Sequence, residues 1–118
     1  MVYNQKIGKT GEDAVCVYIE KGGGEVLARN YRCAYGEIDV IARQGATICF
    51  VEVKTRTSKR YGSAAEAVTP AKMAKIRETA LHYIAEHVDS DCNFRFDVAE
   101  VYLQNGMPDI HYIENAFC

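Results

Sequence analysis

Two short stretches of this chain set acids and a base at the spacing of a shared strand face. Glu37 and Asp39 are two residues apart in Gly36-Glu37-Ile38-Asp39-Val40-Ile41-Ala42, as are Glu52 and Lys54 in Phe50-Val51-Glu52-Val53-Lys54. Side chains two apart on a strand point to the same side. Val40, Ile41, Val51 and Val53 show that both stretches are built for burial, where an unpaired carboxylate is strongly disfavoured. Two carboxylates on neighbouring strands repel each other, which raises one pKa unless a cation sits between them. Mg2+ suits that place, because it takes oxygen ligands in octahedral geometry from one or two carboxylates, waters and phosphate. There it would polarise a scissile phosphate and help deprotonate an attacking water. Lys54 could orient that water or offset charge developing on the phosphate. A Glu-x-Lys pair alone is usually a satisfied surface pair. An acid in Gly-Glu-Ile-Asp, a turn, and an apolar strand closing in Glu-Val-Lys make a more specific combination.

Elements of the right kind surround these residues. Ile7, Ala14, Val15, Tyr18 and Ile19 recur at helical spacing, so residues 4–21 are read as a helix stopped by Gly22-Gly23-Gly24. Three strands follow, over residues 25–30, 37–43 and 46–54, with Gln44-Gly45 as the tight turn of an antiparallel hairpin. Residues 55–67 read as a polar, basic loop. Thr69-Pro70 starts a second helix, Thr as N-cap and Pro at the first helical position, running to about His87. Residues 93–103 and 110–114 read as strands. The order predicts an α/β sandwich with a mixed sheet, and 118 residues suit one domain spanning residues 1–118.

Composition narrows the class. At 48% hydrophobic and 25% charged residues, the chain falls with ordinary globular proteins. No apolar run approaches the roughly 20 residues of a membrane span, and the first six residues lack the plan of a signal peptide. A cytoplasmic protein is expected. The five cysteines are widely spaced, with no Cys-x-x-Cys pair, and read as small buried hydrophobes. The formal net charge is −2, but its distribution is uneven. Residues 54–77 hold seven Lys or Arg against Glu66 alone, whereas residues 78–118 hold Arg95 against eight acids. Such a basic block could meet phosphates, whose contacts dominate nucleic-acid affinity, or simply form a solvated face.

The two stretches, extended to Thr55-Arg56, resemble the PD-(D/E)xK nuclease signature. More closely, the chain resembles the YraN family of bacterial proteins, which are related to archaeal Holliday junction resolvases. Gly8-Lys9-Thr10-Gly11-Glu12, Arg29-Asn30-Tyr31 and Arg95-Phe96-Asp97-Val98 are further matching pieces, and the likeness covers essentially the whole chain. The resemblance implies a restriction-endonuclease-like αβββαβ core with helices flanking a mixed central sheet. It implies Asp39 and Glu52 as metal ligands, joined by the backbone carbonyl of Val53, with Lys54 as the catalytic lysine. Glu12 falls where resolvase-like members carry a further acid on the first helix. The signature's proline is absent, since Ile38 precedes Asp39; a proline is not a ligand, so the ligand set is intact.

Other residues carry two readings each. Glu12 is a metal-site acid or a solvated helix acid, and Glu37 a site residue or half of an edge salt pair. Arg56, Lys59 and Arg60 follow the catalytic strand on a loop, where they bind phosphate or serve solubility. Lys72 opens the second helix, whose N-terminal amides also attract phosphate. Arg95 and Asp97 share a strand face and read as a structural ion pair. The expected function is a Mg2+- or Mn2+-dependent endodeoxyribonuclease on DNA, with branched DNA and a homodimer suggested by family analogy. One alternative is a DNA-binding accessory protein in repair or recombination that needs a partner to cut. Another is a protein-interaction module docking through the acidic 78–118 segment.

Overall fold

The computed structural model describes residues 2–56, 68–88, 91–104 and 107–117, with side chains from Lys9 onward except that of Gln104. Helix α1 runs over Val2–Lys21 and ends as its glycines require. Gly23 takes a left-handed φ of 89°, and Gly24 N–H returns to the Ile19 carbonyl at 2.9 Å, satisfying an otherwise orphaned acceptor. Strands β1 (Glu25–Cys33), β2 (Gly36–Gln44) and β3 (Thr47–Arg56) follow, then helix α2 (Pro70–His87) and strands β4 (Asn93–Gln104) and β5 (Met107–Phe117). Thr69 caps α2 through its Oγ1, which accepts from Lys72 N–H at 3.2 Å.

The five strands form one sheet in the order β1-β2-β3-β4-β5. Neighbours are antiparallel except β3 and β4, which run parallel because α2 carries the chain back across the sheet. Each face carries one helix. α2 packs Ile76, Ala80 and Tyr83 against Ile41, Ile48, Phe50 and Val98, whereas α1 packs Val15 and Cys16 against Val40, Cys49, Val51 and Ala99. Central β3 is therefore buried on both faces, and Ile48, Phe50 and Val51 are at most 1% exposed. This α/β architecture, a five-stranded mixed sheet flanked by two helices, is compatible with a restriction-endonuclease-like core.

β1 and β5 outrun the sequence reading by three residues or more. β1 continues to Cys33, so a two-residue turn at Ala34-Tyr35 joins it to β2 through the Cys33–Gly36 pair. β5 spans Met107–Phe117 because β4 supplies a ladder along nearly all of it. Among the described residues Cys16, Cys33 and Cys49 are free thiols, and no described helix is long and apolar enough to cross a membrane.

On the α1 face a charged group is fully enclosed. Asp97 is 0% exposed and accepts from Arg95 Nε at 2.9 Å, Tyr112 hydroxyl at 2.6 Å and Asn115 N–H at 3.0 Å. The predicted Arg95–Asp97 pair is thus part of a network tying β4 to β5.

Gly11 sets how closely α1 approaches β3. A Cβ there would overlap Thr55 Oγ1 and lie 3.1 Å from Thr55 Cβ. Overpacking of this kind costs about 1–3 kcal/mol, partly offset by the roughly 1 kcal/mol that Ala gains over Gly in a helix. Gly11→Ala is expected to lower the thermal midpoint, and adding Thr55→Ala to recover part of the loss. Equal melting of Gly11→Ala and the parent would show that α1 does not need this approach.

Candidate functional site

The site lies where β2 and β3 part. Their ladder ends at Val40–Val51, and the Asp39 side chain continues it: Oδ2 accepts the Val53 N–H at 2.8 Å. Asp39 is thereby held against the backbone of the strand that carries Glu52 and Lys54. Those two residues project from the face of Phe50, toward α2, because they stand two and four residues beyond it. Glu52 is 8% exposed and its Oε1 lies 3.3 Å from Lys72 Nζ. Gly36, Glu37, Asp39, Glu52, Lys72 and Lys75 line a cleft of about 210 Å3 that opens beside the first turn of α2.

Electrostatics follow from this crowding. Asp39 is pushed up to about 8 by burial first, then by a hydrogen bond with Glu52 and the Glu52 charge; the Val53 N–H pulls the other way. Lys54 is lowered from its ordinary value by burial and by a hydrogen bond with Lys72. Burial would lower Lys72 as well, but the hydrogen bond with Lys54 and the charge of Glu52 carry its net shift upward. Two acids and two lysines thus share a small volume, in which burial and like charge favour the protonated form of Asp39 and the neutral form of Lys54.

The residues singled out from sequence divide into those that meet at the cleft and those that do not. Asp39, Glu52, Lys54 and Lys72 come together. Glu12 faces β1: its Oε1 accepts from Asn30 Nδ2 at 3.2 Å and lies 3.6 Å from Arg29. Its charge still reaches Asp39, as a minor upward contribution, but among the described residues no three potential metal ligands are gathered in one group. Arg56, expected on the loop, is instead the last residue of β3, because the parallel ladder with β4 extends to the Arg56–Tyr102 pair. Lys59 and Arg60 lie outside the described residues. Glu37 pairs with Arg32 at 2.6 Å and also lines the cleft.

The model of a family described as "Uncharacterised protein family UPF0102" matches residues 11–101. The chain belongs to the UPF0102 family. A UPF0102 protein of Clostridium acetobutylicum is 49% identical over 116 residues, 97% of this chain and 95% of that relative. One of Alkaliphilus metalliredigens is 46% identical over 114 residues, 97% and 99% of the two chains. One of Caldicellulosiruptor saccharolyticus is 42% identical over 115 residues, 96% and 98% of the two. The segment matched by the UPF0102 model contains Gly36, Glu37, Asp39, Glu52, Lys72 and Lys75, the cleft residues named above, together with Glu12 and Lys54.

One more residue of the UPF0102 chain belongs near this site, and sequence reasoning missed it. Glu100 pairs in register with Lys54 on the same face, is 5% exposed and accepts from Tyr102 hydroxyl at 2.8 Å. Its signal is the alternation of β4, in which an acid falls two residues after Val98 in a run otherwise facing the core. A larger cavity of about 330 Å3 lies on the α1 face, between Tyr18, Ala42 and Tyr112. It is mostly apolar, and its Arg95 is already bonded to Asp97 and 3.6 Å from Glu114, so it assembles no acid–base pair for chemistry.

Proposed function

We propose that this chain is a divalent-metal-dependent nuclease that hydrolyses phosphodiester bonds of DNA. The observation that supports it best is the convergence of Asp39 and Glu52 at the cleft, with Lys54 and Lys72 beside them. The donor chemistry fits Mg2+ or Mn2+. Two carboxylates and the carbonyl of Val53 are hard oxygen donors, and the proton retained by Asp39 marks a place where positive charge is wanted. The same residues support a PD-(D/E)xK and YraN-like assignment.

Asp39 and Glu52, with the Val53 carbonyl, would hold the ion, which supplies Lewis-acid polarisation of the phosphate and a more acidic water. The rest falls to the chain. The Val53 N–H fixes Asp39 Oδ2, so one ligand oxygen needs no reordering on binding. Lys54, with its depressed pKa, can take a proton from the attacking water or return one to the leaving oxygen. Lys72 neutralises Glu52 before a cation arrives and is then free to turn to a phosphate oxygen.

That Lys72–Glu52 pair also supports a second reading. A carboxylate already neutralised binds metal weakly, as an accessory protein awaiting a partner would.

Titration with Mn2+ separates the two. Metal must displace the Asp39 proton, so affinity should rise from pH 6 to pH 8 with release of about one proton per ion at the lower pH. Glu52→Gln should weaken it at least tenfold. Binding independent of both pH and Glu52 would remove the metal from this cleft.

A further inference from the structure

The cleft does not end at Asp39. Gly36, Glu37 and Lys75 line it and also line a second, wider depression of about 520 Å3 that runs to Arg32 and Tyr35 at the β1–β2 turn. The shared residues make one open groove from the carboxylates to the hairpin tip. An open groove suits a strand passing through rather than an enclosed small molecule.

Its chemistry has two parts. Arg32, Lys72 and Lys75 supply cations, set against Glu37, which Arg32 already pairs at 2.6 Å. Among the described residues no ion pair is made by Lys75, and the Arg32 side chain is 74% exposed. Toward the carboxylates Lys72 is set against Glu52, but in the outer depression Arg32 and Lys75 stand against Glu37 alone, a local net positive charge in a molecule whose net charge is −2. The second part is Tyr35, which is 55% exposed at the tip of a two-residue turn. Its backbone is anchored by its neighbour. Gly36 follows it and packs so close to α2 that an added Cβ would come within 3.2 Å of Thr79 Oγ1. The hairpin tip is thus docked on the helix that carries Lys72 and Lys75.

We infer that the groove holds an unpaired strand of DNA beside the scissile phosphate, with Arg32 and Lys75 on phosphate oxygens and Tyr35 stacked on a base. This rests on the nuclease reading and sharpens its substrate. Aromatic side chains stack on any exposed base face at about 1–3 kcal/mol per base, and cations track the backbone. Inside a blunt duplex both faces of a base are covered by its neighbours, so Tyr35 finds a partner only where nucleotides are unpaired: a flap, a single strand or the open centre of a junction.

The chain contains no tryptophan, so Tyr35→Trp places a single indole at the hairpin tip. With EDTA present to prevent cleavage, oligothymidylate should quench its fluorescence saturably, and a blunt duplex of two fully complementary strands should do so at least several-fold more weakly. Tyr35→Ala should weaken oligothymidylate binding about 5- to 150-fold, as loss of one stacked base would, and Arg32→Ala or Lys75→Ala should each flatten its salt dependence. Binding of a labelled oligothymidylate, followed by anisotropy, without any change at the indole would overturn the inference and leave the nuclease reading standing. Equal quenching by the blunt duplex would also overturn it. Absence of binding to either DNA would overturn the nuclease reading together with it.

Discussion

Asp39→Asn is expected to make this protein more stable at pH 8 while stopping metal-dependent cleavage. Asp39 titrates near 8 in the folded chain against 3.8 for the free residue, chiefly from burial and then from Glu52. Between those values the folded state keeps a proton that the unfolded chain has released. Stability attached to this group is therefore fully present below about pH 4, falls as pH rises, and is gone above about pH 8. Asparagine is a neutral mimic of the protonated acid: its Oδ1 can still accept the Val53 N–H, and its amide can donate toward Glu52. The variant should thus lose the pH slope and gain about 1–3 kcal/mol at pH 8, or roughly 5–15 °C in thermal midpoint. It should also lose the negative ligand, with a fall in cleavage of at least about 100-fold. Thermal melts from pH 5 to pH 9 check the first half. A parent and variant that melt in parallel across that range would mean the two carboxylates do not share a proton.

Asp97→Ala carries the largest expected cost to folding. The carboxylate is fully buried and holds Arg95 Nε, the Tyr112 hydroxyl and the Asn115 N–H at once. Truncating it leaves a guanidinium only 15% exposed without its main counter-charge and two further donors without acceptors. Removing one partner of a buried pair costs about 3–5 kcal/mol, set against a total of about 5–15 kcal/mol for a domain. The variant should melt more than about 15 °C lower or fail to accumulate folded. Adding Arg95→Met should recover part of the loss, since replacing both charges avoids the orphaned one. Urea denaturation measures both. A loss below about 1 kcal/mol for Asp97→Ala would show that Glu114 and Gln44 satisfy Arg95 unaided.

Much of the fold is legible in the residues themselves. Thr69-Pro70 and Gly22-Gly23-Gly24 mark helix ends because capping and left-handed geometry restrict which residues fit. The hairpin through Gln44-Gly45 brings Asp39 and Glu52 onto neighbouring strands by turn chemistry alone. What the residues do not disclose depends on register and on contacts distant in sequence. Lys72 is expected at the first turn of α2, but that this turn docks over Glu52 follows from the parallel β3–β4 crossover, which local periodicity does not encode. Glu12 shares its helix with Gly11, but its tie to Arg29 and Asn30 arises from the path of β1, where Asn30 takes a left-handed φ of 51°. The alternation of Glu100 with Val98 says that it faces the core without saying that Lys54 is its neighbour. The extension of β1 to Cys33, and with it the position of Tyr35, has no strong propensity behind it; pairing with β2 overrides local preference there.

The most direct measurement of the central claim is cleavage of end-labelled DNA by the purified chain, with Mg2+, Mn2+ or EDTA, beside Glu52→Gln. Junction, flap, single-stranded and blunt duplex substrates would be compared in one experiment. The account predicts cutting that requires the ion, disappears in Glu52→Gln and favours substrates with unpaired nucleotides. Cutting that persists in EDTA, or that Glu52→Gln leaves intact, would contradict it.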